Sequence, residues 1–301
     1  QYSMQAVSAF LVISIIFMNL PRAAVSAKRI TEVLETESQI QDPVNPVKAP
    51  RRGGKVEFRN VTFTYPGAAE PVLYNISFIA LPGETTAFVG STGSGKSTII
   101  NLIPRFYDAT NGQVLVDDID VRAMKQKNLR ERIGYVSQKA MLFSGTIKDN
   151  IIYGNPRASQ EEILQAAATA QALEFIKELE QTFDSSIAQA GSNFSGGQKQ
   201  RLAIARALAK NPELYLFDDS FSALDFKTDT ALRHALKTEA KGKTVIIVTQ
   251  RIATIMNADK IIVIDKGEIV GQGTHKSLLR TCKTYREIAA SQLAPEELAR
   301  F

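Results

Sequence analysis

The tightest constraint on this chain is the stretch Gly90-Ser91-Thr92-Gly93-Ser94-Gly95-Lys96-Ser97-Thr98, entered from the apolar run Thr86-Ala87-Phe88-Val89 and left through Ile99-Ile100-Asn101-Leu102-Ile103. It reads as strand, loop and helix. Three glycines let the backbone curl into a nest whose N–H groups converge on an anion, and the helix that follows adds the positive end of its dipole. At this spacing Lys96 can reach the β- and γ-phosphates of a nucleotide, and the Ser97 hydroxyl can ligate Mg²⁺. A flexible Gly/Ser connector has no reason to place Gly-Lys-Ser at the head of an apolar helix. The other segments are therefore read for what they do with a nucleoside triphosphate.

Composition narrows this little further. The chain has 301 residues, enough for about two domains, and 44% of them are hydrophobic, which fits a large buried core. Its 36 basic and 31 acidic residues give a net charge of +5. They are interspersed, so charge alone points neither to nucleic acid nor to anionic lipid. Cys282 is the only cysteine, which leaves no intramolecular disulfide and no cysteine metal cluster and fits a reducing compartment. The only histidines are His234 and His275.

In chain order, residues 1–21 carry no charge and residues 6–20 are mostly apolar, the length of one membrane helix or its truncated end. A secretory signal would need a charged region before the apolar core, and none is present. A buried soluble helix is the alternative, given Gln5, Ser8, Ser14 and Asn19. Gln1 in place of methionine suggests a fragment of something longer, and Arg22, Lys28 and Arg29 put this end on the cytoplasmic side. Helical spacing continues over residues 27–40, and the proline-rich residues 42–50 form a linker. Residues 55–65 alternate at period two and residues 72–79 give another strand, so a β-rich layer leads into the glycine loop. Two short β-rich pieces, residues 113–117 and 133–138, follow the loop helix. Residues 161–179 and 198–210 have helical spacing, and strand signals return at 213–218, 244–248, 260–265 and 268–270. Apolar β-branched runs separated by helices indicate a buried parallel sheet.

Residues 191–201, Gly-Ser-Asn-Phe-Ser-Gly-Gly-Gln-Lys-Gln-Arg, are the second decisive stretch. Ser195 with Gly196 and Gly197 can open a helix whose N-terminus faces an anion. With the phosphate loop before it and the apolar strand to Asp218-Asp219 after it, the chain closely resembles the nucleotide-binding domain of an ATP-binding cassette (ABC) exporter, from Ala27 to about Ser291. The resemblance implies an α/β fold: a P-loop NTPase (RecA-like) core with an antiparallel β layer, a helical subdomain and a short N-terminal transmembrane-helix remnant. The implied division is 1–27 for the end of a membrane helix and 28–54 for connecting helix and linker. The nucleotide-binding domain would then occupy 55–291, with its helical subdomain at about 140–210, and 292–301 would be a tail.

Site roles follow from the same resemblance. Tyr65 matches the aromatic that stacks on adenine, the residues from Gly90 to Thr98 hold ATP, and Ser97, Gln138 and Asp218 hold Mg²⁺. Phe194, Ser195, Gly196, Gly197 and Gln198 form the signature that serves the nucleotide of a second, head-to-tail domain, and Asp225 lies in the loop crossing that interface. Three positions depart from the family pattern. Asp219 stands where a catalytic glutamate belongs, Gln250 where a switch histidine belongs, and Gln189 where exporters usually have glutamate. Aspartate loses a methylene of reach and glutamine cannot become cationic, so both changes lower the expected turnover. Neither His234 nor His275 follows a core strand where it could substitute. The implied protein is an ATPase and one half of a heterodimeric exporter. Its own site would bind ATP and Mg²⁺ but hydrolyse slowly, and its signature would complete the partner's site. An active homodimer, a cassette ATPase acting on nucleic acid or ribosomes, and a non-hydrolysing structural nucleotide-binding subunit are the competing readings.

Overall fold

The computed structural model describes residues 1–50 and 52–294. It divides into two units, Gln1–Gln41 and Asp42–Phe301. The expected tail at 292–301 lies, from residue 295 onward, outside the described residues.

The first unit is one long helix, α1 (Tyr2–Leu34), with Pro21 inside it and no buried residue. Its most apolar 18-residue window has a mean hydropathy of 1.8, so the helix is long and apolar enough to cross a membrane. Its serines do not interrupt it, because Ser8 Oγ donates to the Gln5 carbonyl at 2.9 Å and Ser14 Oγ to the Phe10 carbonyl at 2.8 Å. Hydroxyls satisfied within their own helix remain compatible with an apolar environment. The helix passes residues 27 and 28 without a break, and the helical spacing read through residue 40 ends at Leu34.

The second unit holds two larger sheets. Strands β1 (Val56–Phe63), β2 (Leu73–Ala80), β4 (Asn111–Val116) and β5 (Ile119–Asp120) form an antiparallel sheet in the order β2-β1-β4-β5. Strands β3 (Thr85–Val89), β6 (Ile133–Val136), β9 (Leu214–Asp218), β10 (Thr244–Val248), β11 (Lys260–Asp265) and β12 (Glu268–Gly273) form the other, in the order β12-β11-β3-β10-β9-β6. All its pairings are parallel except β11 with β12. Every residue of β9 and β10 is buried, as expected for parallel strands covered on both faces. One face packs with the antiparallel sheet and α2 (Lys96–Leu102). The other packs with the helical region.

Helix α3 (Gln126–Glu131), before β6, packs through Leu129 on the antiparallel-sheet side. The helical region contains the small ladder β7 (Gly145–Thr146) with β8 (Ser186–Ile187), α4 (Ile147–Ile152), α5 (Gln160–Thr169), α6 (Leu173–Lys177) and α7 (Gly196–Ala209). The helical spacing over 161–179 is split because Gln171 adopts φ 57°. Its N–H bonds to Ala168 O and that of Ala172 to Ala167 O, so a glutamine occupies the left-handed position that usually closes a helix with glycine. Among the described residues, the remaining helices of the unit are α8 (Phe226–Glu239), α9 (Ile252–Ile255), α10 (His275–Thr281) and α11 (Lys283–Ala290). Buried Asp117 fastens the end of the linker to the sheet, accepting N–H groups of Arg52, Gly54 and Lys55 and pairing with buried Arg132.

Candidate functional site

The glycine loop leaves β3, which lies between β10 and β11. A Cβ at Gly90 would stand 2.0 Å from the Ile264 carbonyl, so no other residue fits beside β11. Gly93 and Gly95 adopt φ +79° and +97°, the left-handed curl that turns successive N–H groups inward. Lys96 is 7% exposed, and its ammonium donates to Gly90 O at 2.9 Å, Ser91 O at 2.6 Å and Ser94 Oγ at 3.2 Å. Burial lowers its pKa, opposed by the charges of Asp219 and Asp218.

The sheet register builds the opposite wall. Val248 pairs with Asp218 in the parallel β9–β10 ladder, so both strands end together beside the loop. This is the carboxyl edge where parallel α/β sheets bind ligands. Ser97 Oγ donates to Asp218 Oδ1 at 2.9 Å. Burial, the dominant cause, pushes the Asp218 carboxyl up from the usual carboxylate range, and the neighbouring Asp219 adds to this. Asp219 has φ 44° and its N–H bonds to Val248 O at 2.7 Å. Its carboxylate accepts from Thr249 Oγ1 at 3.3 Å and from Gln138 Nε2 at 3.4 Å.

Around these groups lies a cavity of about 350 Å³, lined by Thr92, Gly93, Ser94, Gly95, Lys96, Ser97, Thr98, Gln138, Asp218, Asp219, Thr249 and Gln250, with Val72 and Val248. A hydroxyl, a carboxylate and an amide at one edge are hard oxygen donors of the kind Mg²⁺ takes, and the cationic loop suits phosphate. The residues present therefore fit a magnesium nucleotide.

Other expected residues lie outside the cavity lining. Tyr65 packs edge-on against Phe63 and Tyr107, with centroids 4.8 and 5.2 Å away, and its hydroxyl is 3.0 Å from Thr98 Oγ1. Gly90 and Ser91 form the loop's base, beneath the lined wall. The signature is not brought to this cavity at all. Phe194 is buried beside Phe175, while Ser195 caps α7 through a reciprocal pair with Gln198 and remains exposed with Gly196. Gly197 passes close to the Ala223 carbonyl, where an added Cβ would come within 3.3 Å. Asp225 caps α8, accepting from Thr228 N at 2.9 Å and Thr228 Oγ1 at 2.7 Å, and Gln189 is exposed at the start of a 3₁₀ turn, Gln189–Gly191.

Sequence reasoning gave no role to Thr249, although a hydroxyl at the end of the strand beside Asp218 was a usable signal. It also passed over Arg251, whose Nη2 donates to Ser222 O at 2.8 Å, and Gln292, whose amide bonds to the backbone on both sides of Arg251.

Comparison with known proteins completes the assignment. Residues 73–222, spanning the glycine loop, the signature and β9, match the ABC transporter family model. The chain carries an ABC transporter ATP-binding domain. An uncharacterized ABC transporter ATP-binding protein of Mycobacterium tuberculosis is 49% identical over 97% of this chain and 50% of its own length. An ATP-dependent lipid A-core flippase of Haemophilus influenzae is 45% identical over 86% of this chain and 44% of its own. Among solved structures, a bacterial Atm1-family ABC exporter with ATP bound superimposes with a TM-score of 0.86 at 36% identity, over 94% of this chain and 50% of that one. The chain spans about half the length of the curated relatives it matches. The ABC α/β architecture read from the motifs is thus the architecture of this domain.

Proposed function

We propose that this chain is the ATP-driven half of a membrane exporter whose own nucleotide site binds Mg-ATP and turns it over slowly. The observation that carries the reading is that Asp219 and Gln250 line one cavity with Lys96, Ser97 and Asp218. The nucleotide-holding set is intact where the hydrolytic set departs.

Lys96 and the loop N–H groups would hold the phosphates, while Ser97, Asp218 and Gln138 would hold Mg²⁺, which offsets phosphate charge when bound. Asp219 is the group available to orient an attacking water. Its carboxylate is a methylene shorter than glutamate and already accepts from Thr249 and Gln138, so its reach toward a γ-phosphate is short by roughly 1 Å, a displacement that can lower a rate about a hundredfold. Gln250 can donate one hydrogen bond but supplies no positive charge.

The signature, exposed and outside its own chain's cavity, supports head-to-tail pairing in which Ser195 and Gly196 meet a second domain's nucleotide. Two departures in one site with an intact signature favour a different partner chain over a second copy. The apolar α1 and the basic Arg22, Lys28 and Arg29 support a membrane location with the nucleotide domain on the cytoplasmic side, and favour export over action on nucleic acid. The reading is tested by titrating the chain with a fluorescent ATP analogue and following a single turnover. Micromolar Mg-dependent binding that Lys96→Ala weakens, with slow hydrolysis, is expected; unaltered binding in Lys96→Ala would refute the site.

A further inference from the structure

The turn after β10 brings Gln250 to the cavity wall, and polar ties set its path. Arg251 N donates to Thr249 Oγ1 at 3.1 Å, and the Arg251 guanidinium reaches the Ser222 carbonyl in the segment after Asp219. The remaining tie comes from the far end of the chain. Gln292 Nε2 donates to Gln250 O at 2.7 Å, and Gln292 Oε1 accepts from Ile252 N at 2.9 Å. One amide therefore braces the turn on both sides of Arg251 and satisfies the first N–H of α9, which has no side-chain cap of its own. The amide fits one way round only, nitrogen to carbonyl and oxygen to N–H.

Gln292 is itself held from a rigid base. Tyr285 and Ala289 of α11 are fully buried, and the Tyr285 hydroxyl lies 2.7 Å from His275 Nδ1. The N–H groups of Gln292 and Leu293 both donate to Ala289 O, at 3.1 and 2.9 Å, and Leu293 packs on the hydrophobic core. A group delivered from a packed element fixes a loop more narrowly than the loop can fix itself.

We infer that Gln292 is a positioning residue: its amide holds the Thr249–Ile252 turn in the conformation that presents Gln250 to the γ-phosphate. The inference rests on the reading of Gln250 as the γ-phosphate contact. It assigns the segment after α11 a part in nucleotide turnover although that segment does not line the cavity.

The test uses the full chain in lipid nanodiscs, measuring single-turnover ATP hydrolysis, ATP affinity and melting temperature for Gln292→Met, Gln292→Glu, Gln250→Ala and the Gln292→Met/Gln250→Ala pair. Gln292→Met should slow turnover about three- to tenfold, the size of one or two lost hydrogen bonds, with ATP affinity retained. It should add nothing once Gln250 is alanine, because the brace then has no side chain to present. Gln292→Glu keeps the acceptor for Ile252 N but sets a carboxylate against the Gln250 carbonyl, so it should slow turnover at least as much as Gln292→Met while retaining the cap on α9. If Gln292→Met destabilises the protein, the glutamate variant decides: slowed turnover supports the inference and normal turnover overturns it. An equal loss from Gln292→Met in both backgrounds, or no loss while Gln250→Ala is slow, would also overturn it. If Gln250→Ala changes neither turnover nor affinity, the underlying reading of Gln250 fails instead.

Discussion

Replacing Asp218 with asparagine should move stability and nucleotide binding in opposite directions. Asp218 is 6% exposed, and burial outweighs its bond from Ser97 in setting its pKa, which is raised. The native state thus binds that proton more tightly than the unfolded chain does. Stability present when the group is protonated is lost as pH rises from the unfolded pKa through the raised folded one. At neutral pH the ionised Asp218 carboxylate is therefore a net liability to the metal-free fold. Asparagine keeps the size and the acceptor for Ser97 Oγ, 2.9 Å away, while removing the charge. Relief of a buried, partly paired charge on the order of 1 kcal/mol corresponds to a rise of about 2–4 °C in Tm at this size. The assay is thermal unfolding in EDTA from pH 8 down to pH 4, paired with Mg-ATP titration at pH 7.5. Asp218→Asn should melt higher at pH 8, the gap should close as pH falls through the raised pKa, and Mg-dependent affinity should fall by roughly tenfold or more. A lower Tm at pH 8 would refute the argument that burial makes this carboxylate costly, and unchanged Mg-dependence would refute its place in the metal set.

Two further outcomes follow from local geometry. Gly90→Ala forces a Cβ against the Ile264 carbonyl 2.0 Å away, between two central strands that cannot part, and should cost about 3 kcal/mol, read as a Tm lower by roughly 6–12 °C; Gly93→Ala meets no neighbouring atom but must hold φ +79°, so it should cost about 1–2 kcal/mol from backbone strain alone. Ser195→Ala removes one half of the capping pair with Gln198 and should destabilise by about 1 kcal/mol, leave ATP binding at Lys96 nearly intact and, under the proposed head-to-tail pairing, impair hydrolysis at the partner's site.

The strands at the centre of the larger sheet were legible because burial on both faces leaves an unbroken apolar run, as in Leu214-Tyr215-Leu216-Phe217. The phosphate loop and the signature were legible because their glycines and hydroxyls have few other uses at that spacing. The break between α5 and α6 was not, since Gln171 carries no preference for φ 57°, and the bonds that hold it include one from Arg201, 30 residues away, to its carbonyl. At the site, the bond from Thr249 to Asp219 depends on strand register, and the brace from Gln292 to Gln250 joins residues 42 apart. Neither leaves a trace in local pattern.

The central claim, an intact nucleotide cradle with an impaired hydrolytic pair, is tested most directly by restoring that pair. Asp219→Glu returns the missing methylene and Gln250→His returns a group able to carry charge at the γ-phosphate. Because both act on one transition state, their effects should couple beyond additivity. Glutamate must also accept the left-handed φ of 44° that aspartate tolerates better, so Asp219→Glu alone should gain only part of the rate. The measurement is single-turnover ATP hydrolysis at this chain's own site, with hydrolysis at any partner site disabled. The account predicts slow turnover for the unmodified chain and a gain of about a hundredfold in the double variant, larger than the product of the two single gains. Full turnover by the unmodified Asp219 and Gln250, with no gain on restoration, would contradict it and support an active homodimer.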